Sequence, residues 1–138
     1  ARAEILAPRE CVGGTRLQTG EASQGKYEAA KAGMEKVCGA TFACMRRAVP
    51  AAASGIVFLS GGQSDVAATE RMNAICRADN LPWKVSFSFG RALQDAALKT
   101  WRGSAANALA AQAALHHRAR CNSLAVQGNY SEQAEGGT

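Results

Sequence analysis

Two short strings hold residue types that could bind and orient an anion. Ser60-Gly61-Gly62 closes one apolar run, and Ser88-Phe89-Gly90-Arg91 ends a second strand-like stretch that starts at Trp83. Glycines at such ends let backbone N–H groups approach an oxyanion, a following helix N-terminus adds positive potential, and an arginine supplies two parallel donors. Taken singly, Gly-Gly after a strand is a tight turn, and Arg91 a solvated cation at a helix start. An arginine there opposes the helix dipole, however, which points to an anion nearby. Side by side, the two strings make a phosphate site.

Other chemistry-bearing residues are weaker candidates. Lys26, Lys31 and Lys36 fall on a polar helical face and read as solvated, and neither Lys84 nor Lys99 stands out as a nucleophile. His116 and His117 are adjacent on a helix, so they diverge by about 100° and cannot share one metal ion as an i, i+4 pair can. They read as surface or interface histidines. Cys121, helical and without an evident base, reads as a packing residue. No metal or cofactor is expected.

The elements around these strings set their relation. Gly55-Ile56-Val57-Phe58-Leu59-Ser60 shows no polar alternation, which predicts a parallel strand buried on both faces. Ser64 can cap a helix with Asp65 in its first turn, and Val66, Thr69, Met72, Asn73 and Ile75 carry it to about Arg77. A turn at Asp79-Asn80-Leu81-Pro82 leads to a second strand, Trp83 to Phe89. Strand, helix, strand implies parallel pairing with a right-handed crossover. The two strings then lie at neighbouring carboxyl ends, where α/β proteins place ligands. Upstream, helical spacing runs from Lys26 to Arg46-Arg47, weakened at Gly33 and Gly39 and stopped by Pro50; before it lie a short apolar piece, Ile5-Leu6, and a glycine-rich loop. Downstream, a helical region spans Ala92 to roughly Gln127 with a break near Arg102-Gly103, and the polar tail Ser131 to Thr138 reads as disordered.

Composition bounds the function classes. At 138 residues the chain is one domain, about half the ~250 residues of a full (β/α)₈ barrel. With 47% apolar and 20% charged residues it is globular, and no apolar run approaches the ~20 residues of a membrane span. Thirty alanines make much of the apolar fraction methyl-sized, so Ala-rich helices should pack closely on a few strands. The net charge of +5 is scattered and aromatics are only 6%, which disfavours nucleic acid as a partner. Five cysteines, odd in number and never spaced as CxxC, indicate neither a disulfide framework nor a zinc ribbon, and fit a reducing cytoplasm. The N-terminus, with Glu4 early and no extended apolar core, does not read as a secretory signal.

The motifs together resemble a known family. Gly55 to Ser64 (GIVFLSGGQS), Leu81-Pro82-Trp83-Lys84, Phe87 to Gln94 (FSFGRALQ), Ala97 to Gly103 (ALKTWRG) and Arg118 to Ala125 (RARCNSLA) closely resemble the C-terminal part of the Schiff-base, class I fructose-1,6-bisphosphate aldolases, in order and spacing over about Val37 to Tyr130. The resemblance implies an α/β fold, a partial (β/α)₈ TIM barrel covering about strands 7 and 8 with their helices. It divides the chain into a poorly matched segment 1–36 holding a sixth-strand remnant and loop, an aldolase half-barrel 37–130 and a disordered tail 131–138. It also assigns the substrate phosphate to Ser60, Gly61, Gly62, Ser88, Gly90 and Arg91, in agreement with the reading from the residues.

The implied activity is that of a glycolytic and gluconeogenic lyase, which cleaves fructose 1,6-bisphosphate into two triose phosphates through a lysine Schiff base. The implied partners are a phosphorylated sugar and further copies of the chain, tetrameric as is typical of the family, with neither nucleic acid nor membrane. Two departures bear on catalysis. The family's lysine sits in a Leu-Leu-Lys-Pro pattern at the end of the sixth strand, and the nearest match here, Ile5-Leu6-Ala7-Pro8, has Ala7 in its place. The upstream strands that carry the family's acid/base residues are absent from this chain. The competing expectation is therefore a truncated, non-catalytic module that binds phosphate or other subunits.

Overall fold

In the structure, a computed structural model, the described residues are Arg2–Leu6, Arg16–Gln18, 33–78 and 80–136. In chain order they form β1 (Arg2–Leu6), β2 (Arg16–Gln18), α1 (Met34–Ala48), β3 (Gly55–Leu59), α2 (Asp65–Cys76), β4 (Lys84–Phe87), α3 (Arg91–Trp101) and α4 (Ala108–Val126), with short 3-10 turns at Ala105–Asn107 and Glu132–Gly136. Ala7, Cys11, Lys26 and Lys31 lie outside the described residues, as does the first part of the helix expected from Lys26.

Local chemistry explains the boundaries. α1 carries Arg46 and Arg47 in its last turn and stops before Pro50, which cannot continue a helix. Ser64 caps α2, its Oγ accepting from the Ala67 N–H at 3.3 Å, while Asp65 Oδ1 accepts from the Val66 N–H at 2.9 Å. Gly128, at φ +72°, closes α4. Its N–H donates to the Ala125 carbonyl at 3.0 Å, and the Asn129 N–H to that of Leu124 at 2.9 Å, a left-handed ending that glycine adopts without strain. The break expected near Arg102-Gly103 falls between α3 and the turn before α4, with both residues at positive φ.

The β3–α2–β4 unit is parallel as expected, with Ile56 paired to Val85 and Phe58 to Phe87. The Ser88 N–H donates to the Phe58 carbonyl at 2.7 Å, carrying the pairing past the end of β4. β3 is not buried on both faces, however. Ile56 and Phe58 are buried, with Val85 and Phe87 packed against the same core, whereas Val57 and Leu59 on the opposite face are only half-buried. The helices contribute their core residues to one face: Cys38 and Met45 from α1, Ala68, Met72 and Ile75 from α2, Ala92 from α3, and Cys121 and Ala125 from α4. Trp83 completes this core, and its indole N–H donates to the Pro50 carbonyl at 2.8 Å, pinning the loop before β3.

The sheet order is β2-β1-β3-β4, and β1 runs antiparallel to β3, Arg2 opposite Leu59 and Leu6 opposite Gly55. The described fold is α/β with one parallel pair, β3–β4, and β1 on the other side of β3. The C-terminal segment is not disordered through Gly136. Glu132–Gly136 forms a 3-10 turn, and the Glu135 carboxylate is fixed by Arg118 at 2.8 and 2.7 Å, an attachment that a polar tail composition does not reveal.

Candidate functional site

Because β3 and β4 are parallel neighbours, their carboxyl ends lie side by side and bring the six predicted residues to one edge of the sheet. After β3, the Gln63 N–H donates to the Ser60 carbonyl at 3.1 Å, which draws the chain into a turn with Gly61 at φ +60° and Gly62 at φ +84°. Residues with a Cβ are strained in that region. Both glycines are exposed, and their N–H groups have no hydrogen-bond partner among the described residues. After β4, the carbonyl of Gly90 accepts from the Leu93 and Gln94 N–H groups at 3.0 and 3.1 Å and so starts α3. Arg91 is the first residue of that helix, exposed and without an ion pair or hydrogen bond among the described residues. Ser60 is half-buried and Ser88 exposed. Free amides, two hydroxyls and a guanidinium can together hold an oxyanion; none of the six is an amine or a proton-transfer group.

A second polar cluster escaped sequence reasoning. Arg118 of α4 is 5% exposed, and its Nη1 and Nη2 donate to the two oxygens of Glu135. The Tyr130 hydroxyl donates to the same carboxylate at 2.6 Å. Arg118 Nη2 also lies 3.6 Å from Asp65 Oδ2, and its Nη1 donates to Thr69 Oγ1 at 3.3 Å. Thr69 Oγ1 lies 2.7 Å from Asn122 Oδ1, both residues having no exposure. Burial alone would raise the Glu135 carboxyl, but the hydrogen bonds from Arg118 and Tyr130 and the Arg118 charge hold it below the usual carboxylate range. Burial and the Glu135 bond push the Tyr130 hydroxyl up. A signal existed in the sequence: Arg118 and Asn122, an i, i+4 pair, share a helical face with Cys121 and Ala125, so the face turned to the core carries a cation that needs a carboxylate.

His117 lies 3.6 Å from Glu135 Oε2 and 3.8 Å from Cys121 Sγ. The Glu135 carboxylate already accepts three hydrogen bonds, from the Arg118 guanidinium and the Tyr130 hydroxyl, and that neighbouring cation disfavours a metal ion among the three, so their geometry is that of an ion-pair cluster. Cys121, 1% exposed, has its thiol raised by burial and by the Glu135 charge, which suits packing rather than nucleophilic chemistry. A groove of about 540 Å³ opens elsewhere, lined by Met34, Glu70, Asn73, Ala74, Arg77, Tyr130 and Glu132, and includes none of the six strand-end residues.

Comparison with known proteins decides the family. The profile of Fructose-bisphosphate aldolase class-I matches residues 9–138. The chain belongs to the class I fructose-bisphosphate aldolase family. The aldolase 1 of the Chlamydomonas reinhardtii chloroplast is 53% identical over 106 residues, covering 77% of this chain and 28% of the relative. The aldolase 2 of Caenorhabditis elegans is 45% identical over 125 residues, covering 90% of this chain and 34% of the relative. A solved aldolase from Plasmodium falciparum superposes with a TM-score of 0.73 at 43% identity, covering 78% of this chain and 31% of that one. The chain thus spans about a third or less of the length of these aldolases. The family match starts at Arg9 and leaves out Ala7, the position set against the family's lysine.

Proposed function

We propose that this chain is the C-terminal portion of an aldolase that cleaves fructose 1,6-bisphosphate into two triose phosphates, and that its contribution is the grip on a substrate phosphate. The observation that carries this reading is the placement of Ser60-Gly61-Gly62 and Ser88-Phe89-Gly90-Arg91 at adjacent ends of the parallel pair β3–β4, within an aldolase match over residues 9–138. Gly61, Gly62 and Gly90 supply backbone donors, Ser60 and Ser88 hydroxyls, and Arg91 the charge. The amine for Schiff-base formation and its acid/base partners come from family segments outside this chain's match. The cytoplasm and a tetrameric assembly belong to the same proposal; the described cysteines, Cys38, Cys44, Cys76 and Cys121, are all free, as suits a reducing compartment.

Titration of the 138-residue chain with inorganic phosphate and with glyceraldehyde 3-phosphate, followed by NMR, tests the grip. The amides of Gly61, Gly62 and Gly90 should shift together and saturate in the millimolar range, because a phosphate alone offers few atoms. Arg91→Ala should weaken binding by about 1–2 kcal/mol, roughly five- to thirtyfold, the worth of a charge-assisted bond discounted for an exposed cation. Arg91→Lys should recover only part of this, since an ammonium lacks the fork. Unchanged wild-type shifts would refute the site.

A further inference from the structure

We infer that Arg118 is a positioning residue for the Ser60–Gly62 turn, held in that role by Glu135 of the C-terminal segment. The inference rests on the phosphate-grip reading and deepens it. The turn is bound rigidly to α2. The Gln63 N–H donates to the Ser60 carbonyl, the Gln63 side chain accepts from Arg71 further along the helix, and Ser64 Oγ accepts from the Ala67 N–H. Wherever the start of α2 sits, the Gly61 and Gly62 amides go with it.

That start is bolted to α4 by Arg118. One guanidinium spans Asp65 Oδ2 at 3.6 Å and Thr69 Oγ1 at 3.3 Å, one turn apart on α2, while Asn122 meets Thr69 beside it. The other partner of the fork is Glu135, which accepts from both terminal nitrogens and so fixes the guanidinium plane. The contact has an electrostatic side too. Asp65 places a negative charge in the first turn of the helix whose N-terminus faces the anion turn, and Arg118 offsets it. Fork geometry and charge act in the same direction, and substitution by lysine separates them because it keeps the charge and loses the fork.

The test compares wild type with Arg118→Lys and Glu135→Gln by amide exchange in the full chain. Exchange at Ala67 and Ala68, in the first turn of α2, should accelerate on the order of tenfold in Arg118→Lys, as loss of a charge-assisted bond worth about 1.4 kcal/mol implies. Exchange at Leu93 and Gln94, in the first turn of α3, should stay within about twofold, a contrast that general destabilisation would not produce. Phosphate affinity at Gly61 and Gly62 should fall severalfold despite the retained charge. Equal acceleration at both helix starts, or none at Ala67 and Ala68, overturns the inference. If Arg118→Lys does not fold, the same contrast in Glu135→Gln decides it. A wild type that binds no phosphate sinks the phosphate grip, while the exchange contrast still judges the Arg118 bolt separately.

Discussion

Replacing Glu135 by glutamine should destabilise the chain by an amount that disappears in acid. The carboxylate accepts three hydrogen bonds at 2.6–2.8 Å, two from Arg118 and one from Tyr130, and the side chains of Arg118 and Glu135 are 6% and 25% exposed. Stranding one member of a fully buried ion pair costs about 3–5 kcal/mol. Glu135 is a quarter open to water, and a glutamine oxygen can still accept one of the bonds, which brings the expectation to about 2–3 kcal/mol at neutral pH. At this length that is a fall in Tm of roughly 6–15 °C. Because the folded state holds the Glu135 carboxyl below its usual pKa, the stabilisation is complete above the unfolded value of about 4.3 and is lost as pH falls through the folded one. Protonated glutamate and glutamine are then near-equivalent. Denaturant melts of both proteins in steps from pH 7 to about pH 3 should show a gap that is full at neutral pH and closes below about pH 4. A gap under about 1 kcal/mol at pH 7, or one that persists unchanged in acid, would refute the ion-pair account.

Met45→Ala, removing a side chain with no exposure at the centre of the core, should cost about 2–5 kcal/mol by urea unfolding. Gly62→Ala should cost about 1–2 kcal/mol and weaken phosphate binding: the added Cβ meets no neighbour, yet φ of +84° strains any residue that carries one. The purified 138-residue chain should show no cleavage of fructose 1,6-bisphosphate above background in a coupled triose phosphate assay, because the amine that forms the imine and its acid/base partners belong to family segments outside the match over residues 9–138. Turnover free of host aldolase would overturn that expectation.

The sequence alone determined the local elements and the site's parts. The unbroken apolar run Gly55–Leu59 and the alternating Lys84–Phe87 specify strands, Ser64 and Pro50 mark helix ends, and the helix joining the two strands makes their pairing parallel, which puts the Ser-Gly-Gly and Gly-Arg strings side by side. These features are legible because each depends on neighbours in the chain. Three others were decided only in the tertiary structure. That one face of β3 is covered while Val57 and Leu59 stay half-buried depends on where four helices settle, and a run of apolar residues does not record which side they choose. The antiparallel placement of β1 against β3 is a pairing of strands distant in sequence, and alternation within a strand carries no direction. The anchoring of the tail is the clearest case. Glu135 looks like one more solvated charge in a polar segment, and it acquires its role because Arg118, buried against α2, has to be neutralised and the chain's end passes within reach.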